Sequence, residues 1–345
     1  MKKIILTIIL VFLITISLVH LHRNKNEYNI SISGVLYVVN KKSSDISVFD
    51  LQQGKMITTI PVKIEPHEIT ILRNPTIVIV TNSGDKKVPG EQVTIINCKK
   101  HKIESTITLQ GVLRPHGIAV IPQTREVAIV NDINSEVLIF NTDSKKIEKK
   151  FSTSQKTSHL VVCHPTKKIV FTSNMGSNTV SAINSSTGEI IKTIDCQSNT
   201  EGIDINPKGN ELWVTNAESN TVQVIETTNF KIIKTIPSGK RPLRLKFSND
   251  GKYCFVTNTE DGTISIFDST KKISIATIKL PGNRNIIDKL LNHTPKPVGI
   301  AMHPNGKYVF IANSNANKIE IIDIKKKKVV SRINVGEIPD GMIVI

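Results

Sequence analysis

Three of the nine histidines stand in one recurring context: Pro66-His67-Glu68-Ile69, Pro115-His116-Gly117-Ile118 and Ser158-His159-Leu160-Val161. Four more segments repeat that context with another residue in the histidine's place: Thr200-Glu201-Gly202-Ile203, Pro242-Leu243-Arg244-Leu245, Pro297-Val298-Gly299-Ile300 and Pro339-Asp340-Gly341-Met342. Read from the last segment and then along the chain, the position is Asp340, His67, His116, His159, Glu201, Leu243 and Val298. Imidazoles and carboxylates gathered in one set are ligands for Zn, Cu, Fe or Ni. They are equally the groups of a general base or of a clamp for a polar ligand. The candidate ligand-binding residues are therefore His67, His116, His159, Glu201, Asp340 and Arg244. The three histidines are the candidate metal ligands, and no cofactor is otherwise called for.

What must position these residues is a repeat. A strand rich in β-branched and aromatic residues ends on Asn40, Asn82, Asn131, Asn174, Asn216, Asn258 and Asn313, at spacings of 42, 49, 43, 42, 42 and 55 residues. Next come ISVFD, VTIIN, VLIFN, VSAIN, VQVIE, ISIFD and IEIID, each closed by an acidic or amide residue. Those closing residues, Asp50, Asn97, Asn141, Asn184, Glu226, Asp268 and Asp323, read as turn formers. A fourth strand and the Pro-x-Gly-type strand complete each unit. Four strands per unit and seven units predict an all-β, seven-bladed propeller. The chain starts inside a unit at Val35–Asn40 and ends on Pro339–Ile345, so the C-terminal inner strand is expected to join the N-terminal strands and close the ring.

The endings YVVN, WVTN and FVTN resemble the repeat of the YVTN family of seven-bladed β-propellers, the YncE-like or surface-layer type, over about Val35 to Ile345. That resemblance implies the fold and leaves the activity open, because one scaffold serves many functions. At the level of fold the chain also resembles the seven-bladed lactonases and the haem-d1-handling propellers. Motifs of other enzymes, G-x-S-x-G, H-E-x-x-H, a P-loop or a dinucleotide fingerprint, are missing from the sequence.

Ahead of the repeats, Met1-Lys2-Lys3 precedes sixteen uncharged residues, Ile4–Val19. Residues 1–23 thus read as a signal peptide or signal anchor, 24–34 as a linker and 35–345 as the propeller. An exported protein is expected, secreted or in the cell envelope, and held on the membrane by this segment if it stays uncleaved. A cytoplasmic propeller with an inverted anchor is the lesser alternative. Cys98, Cys163, Cys196 and Cys254 are scattered, without C-x-x-C spacing, and are expected as unpaired thiols. The net charge of +16 gathers at turns into the fourth strands, where lysine keeps sheet edges from pairing. Nucleic acid is accordingly a weak candidate partner, and the repeated aromatics Tyr37, Phe171, Trp213, Phe255 and Phe310 occupy one packing position.

The longest spacings come from Ser83–Gln92 and Leu280–Pro295, two connections that fall on one face of such a propeller. The inner strands open on that same face, so the His/Asp/Glu set is expected at the channel mouth, beneath the long loops. His164 and His303 fall on the opposite face and read as structural. The function expected is non-catalytic binding of a small ligand or protein on the long-loop face, by a monomer. A lactonase-like or metal-dependent enzyme using the same set is the first alternative, and a nucleic-acid or anionic-polymer binder the second.

Overall fold

Alternation of β-branched residues with turn formers makes each repeat a four-stranded antiparallel sheet whose two faces both need cover. In the computed structural model, which describes residues 27–72, 77–85, 87–282 and 294–345, seven such sheets form, with 28 strands. Blade 1 pairs Pro339–Val344 with Val35–Asn40, followed by Asp45–Asp50 and Lys55–Pro61. Blades 2 to 7 open on inner strands Pro66–Ile71, Pro115–Val120, Ser158–Cys163, Thr200–Ile205, Pro242–Phe247 and Pro297–Met302. Neighbouring inner strands touch all the way round, so the ring closes through the two ends of the chain as expected.

The second and third strands are buried along their middles, while outermost strands such as Lys146–Ser152 alternate between exposed and half-buried. The core is a set of clusters between blades. Tyr37, Phe171, Trp213, Phe255 and Phe310 are fully buried within it. Lys99, Lys100, Lys145, Lys146, Lys271 and Lys325 to Lys328 stand exposed on the outer turns and edges. All four cysteines are free, with Cys98 and Cys254 buried.

Turn chemistry repeats with the blades. The side chains of Asp50, Asn97, Asn141, Asn184 and Asp268 each accept backbone N–H groups two and three residues on. His164 Nδ1 accepts from the amides of Thr166 and Lys167, and His303 Nδ1 from that of Asn305, which gives both the structural role expected. Residues 27–33, expected as linker, lie across the closing seam instead. Tyr28 packs edge-on against Phe49, and Tyr28, Ile30 and Ile32 cover the cluster shared by blades 7 and 1. The apolar segment within residues 1–23 and most of the long connection Leu280–Pro295 lie outside the described residues.

Candidate functional site

Every inner strand carries a bulge just after its first residue. In blade 2, Pro66 pairs with Asn82 and Ile69 with Val80, so His67 and Glu68 together oppose Thr81. The same shift occurs in the other six blades. A bulge re-aims side chains at the end of a sheet. Here it brings two successive residues per blade to the channel mouth.

In four blades a hydroxyl opposite the bulge holds it in place. Glu68 N donates to Thr81 Oγ1 (3.2 Å), and that hydroxyl donates to the His116 carbonyl of the next blade (2.8 Å). Ser173 links Leu160 N to Glu201 O, Thr215 links Gly202 N to Leu243 O, and Thr257 links Arg244 N to Val298 O. The Thr or Ser before the repeat Asn thus fixes the backbone of the mouth residue on the following blade. Glycine after the mouth residue serves close approach. A Cβ at Gly299 would lie 1.9 Å from the Asp340 carbonyl, and one at Gly202 2.2 Å from that of Leu243. Where Glu68 and Arg244 replace this glycine, their side chains enter the channel.

The expected residues do come together. His67 and His116 pack ring against ring at 4.3 Å between centroids, and His116 and His159 at 3.8 Å. His67 Nδ1 is 3.3 Å from Asp340 Oδ2, without the alignment of a full hydrogen bond. At the other end His159 stands 3.8 Å from both Asp132 and Glu201. Arg244 crosses the channel, donating from Nη1 to Glu201 Oε1 (3.1 Å) and from Nη2 to Glu68 Oε1 (3.0 Å). Lys41 Nζ lies 3.6 Å from Asp340, and Arg114 Nε 3.6 Å from Asp132. His67, His116, Glu201, Arg244 and Asp340 are all buried, so the mouth is a plug and not an open ring.

Burial sets the charges. It lowers His67 to about 4, helped by Lys41 and His159 and opposed by Asp340. His116 falls well below its ordinary value, through burial first and then through His159 and His67. Burial would raise the Asp340 carboxyl, but Lys41, His67 and Arg244 outweigh it and hold the group below the usual carboxylate range. Glu68 is raised by burial against the pull of Arg244. Two neutral imidazoles therefore sit beside an ionised Asp340. The metal set expected from His67, His116 and His159 is not arranged for chelation. The imidazoles meet ring against ring, and among the described residues no group of three or more His, Cys, Asp or Glu stands where a metal could be held.

Leu243 and Val298 add no polar group to the set. Glu68, Asp132, Lys41 and Arg114 belong to the site and were missed. The last three flank positions that the repeat itself marks, directly after Asn131 and Asn40 and directly before Pro115. Two cavities adjoin the plug. One, about 380 Å³, is the channel beyond Glu68 and Arg244, reaching to Asp204, Lys246 and Asn249 near the opposite face. The other, about 390 Å³, opens between Asp85, Pro89, Arg114, Asp132, Ile133 and Thr157.

Fold and site together define a seven-bladed β-propeller with a polar plug at one end of its channel. A family model described as "Lactonase, 7-bladed beta-propeller" matches residues 214–337. A functionally unknown protein from Desulfotomaculum acetoxidans superposes with a TM-score of 0.76 at 15% identity, over 90% of this chain and 99% of that one. Hydrazine synthase of Kuenenia stuttgartiensis gives 0.70 at 15%, over 86% and 95%. Dihydro-heme d1 dehydrogenase NirN gives 0.64 at 13%, over 90% of this chain and 65% of that one. These likenesses concern the fold. A search of curated proteins finds no match.

Proposed function

We propose that this propeller is an exported or membrane-anchored binding module that holds a ligand or protein partner on its long-loop face, without transforming it. One observation carries the reading. His67 Nδ1, His116 Nδ1, His159 Nδ1, Asp132 Oδ1, Asp340 Oδ1 and Arg114 Nε are buried without a protein hydrogen-bond partner, and all six lie at the same mouth. Leaving such groups unpaired costs about 1–3 kcal/mol each. A site that concentrates this cost is stabilised by a molecule that supplies partners. The YVTN-type resemblance and the apolar Ile4–Val19 stretch support export. Thermal-shift screening of the full chain against polar metabolites tests the binding. Stabilising compounds should lose their effect in His116→Ala, and a screen whose hits act equally on that variant would refute the site. Membrane fractionation of the expressed full chain tests the location.

A second reading is favoured by the lactonase family model. His67, neutral and with Nδ1 3.3 Å from the ionised Asp340, would become a general base able to activate water toward a lactone carbonyl if that contact tightened to a hydrogen bond. Hydrolysis of γ- and δ-lactones, lost in His67→Gln, would replace the binding-only reading.

A further inference from the structure

The geometry points to the chemical class that the long-loop face takes: an aliphatic peptide segment of a protein partner, seated in the cavity between Pro89, Arg114, Asp132 and Ile133. The inference rests on the binding reading above and names its ligand.

The first observation is where large apolar side chains are exposed. Among the described residues, all of them lie on outermost strands except five: Ile64, Val88, Leu113, Ile133 and Ile338. These five occupy loops of the long-loop face, in one sector running from the seam of blades 7 and 1 to blade 3. Val88 and Ile133 are 58% and 49% exposed. The described loops of the same face on blades 4 to 6 present Asn, Ser, Gln, Glu, Asp, Lys and Arg to solvent, with the half-buried Met175 and no exposed large apolar side chain. Among the described residues, aliphatic groups gathered in one sector of one face mark a contact surface, whereas scattered ones do not.

The second observation is what they surround. Ile133 and Pro89 form walls of the 390 Å³ cavity, with Val88 and Leu113 adjacent in sequence to the wall residues Pro89 and Arg114. That volume falls within the range of ligand pockets, roughly 300–1,000 Å³. Its polar side is the Arg114–Asp132 pair, whose side chains keep 25% and 14% of their surface accessible. A guanidinium and a carboxylate side by side offer donors and an acceptor to one ligand. A peptide carries a carbonyl, an N–H and a side chain in every unit, so it answers all three features at once. Glu65, Asp85, Asp132 and Glu337 stand among the aliphatic tips together with Lys41, Lys42, Lys63, Lys87 and Arg114, so the face as a whole does not exclude an anionic membrane surface; the cavity itself, walled by Asp85 and Asp132, repels an anionic headgroup.

Panning a random dodecapeptide display library against the full chain tests this. Enriched peptides should carry Leu, Ile or Val at two or more positions. Fluorescence anisotropy of the best synthetic peptide should show affinity at least tenfold weaker in Ile133→Asp and in Asp132→Asn. Ile233→Asp, a comparably exposed site (45% against 49%) on the outer strand of blade 5, should stay within twofold, and all three variants should melt as the wild type does. Enrichment without aliphatic residues, or affinity indifferent to Ile133→Asp, overturns the proposal. So does Ile133-dependent binding to phosphatidylglycerol vesicles without peptide binding. If panning fails while His116-dependent stabilisation by a polar metabolite persists, the peptide assignment alone falls. If both fail, the binding reading falls with it.

Discussion

At the scale of residues, the mouth is built from hydroxyls and imidazoles whose roles can be separated by measurement. Thr215 accepts from Gly202 N (2.7 Å) and donates to Leu243 O (3.0 Å), joining the bulge of blade 5 to blade 6. Thr215→Val keeps the shape and strands both groups, so a loss of about 1–3 kcal/mol in urea unfolding is expected. A change below measurement error would mean that the hydroxyl is not part of the blade-to-blade tie. The imidazoles give a pH dependence of fixed sign. The folded state holds His67 at about 4, and the ordinary value is 6.5. Between these limits the unfolded chain binds more protons, so the stability contributed is whole above about pH 6.5 and is lost as pH falls toward 4. The shift corresponds to about 3 kcal/mol. The depressed Asp340 acts in the same direction at still lower pH. Urea unfolding at pH 7.5 and pH 5 should show this loss, and His67→Gln should flatten the slope even if it lowers stability at both pH values. An unchanged slope in that variant would show that the imidazole is not held neutral.

At the scale of the element, the blade was legible in the sequence because each strand meets the same two demands in every repeat. β-Branched residues fill both buried faces of the second and third strands, and a turn former closes each third strand. The His/Asp/Glu set was legible for the same reason, since a register kept over seven copies brings equivalent residues to one end of the channel. What could not be read was the bulge. It is an accommodation between an inner strand and its neighbour, and no residue type announces it. Without it, Glu68 counts as an ordinary strand residue, and its ion pair with Arg244 across the channel stays hidden. The ring packing of the imidazoles was equally out of reach, since it depends on how closely adjacent inner strands approach. Glycine sets that approach. Gly299→Ala would force a Cβ to 1.9 Å from the Asp340 carbonyl, against backbone that cannot swing aside. Blade 7 and the closing strand would have to separate, at a cost of at least about 1–3 kcal/mol for overpacking. Leu160→Gly, in a blade that already lacks this glycine, removes side-chain packing and relieves no clash. Differential scanning calorimetry of the pair should find the Gly299 variant with a shifted Asp340 environment, read as a changed pH dependence of melting. Gly299→Ala melting with the wild-type pH profile would show that the two strands are not so tightly apposed.

For the whole molecule, the question is what turns seven sheets into one cooperative unit. In an open repeat array each unit contacts only its neighbours, and the terminal units fray. Here the last strand, Pro339–Val344, is the inner strand of the blade that the N-terminal strands begin, and it touches the inner strands of blades 7 and 2. It also delivers Asp340 to His67 and Lys41. A second tie runs over the same seam, where Asn29 N donates to Ser331 Oγ of blade 7 and Tyr28 OH donates to the Leu51 carbonyl at the end of the third strand of blade 1. Deleting residues 339–345 removes the inner strand, leaves the Val35–Asn40 edge unpaired and strips cover from Met342's cluster between blades 7 and 1. All seven blades should feel the loss, because a ring with one gap becomes an open array with two frayed ends. Expected are a single melting transition lowered by on the order of 10 °C or more, and self-association through the free edge. A synthetic peptide spanning 335–345, added to the truncated chain, should restore part of the melting temperature, since the groove left behind is specific in register and in the Gly341 approach to His67. Tyr28→Ala, which loosens only the second tie, should lower melting less and should not promote self-association. If the truncated chain kept its full melting temperature, closure would reside in the 27–33 strap and not in the terminal strand, and the larger effect should then pass to Tyr28→Ala.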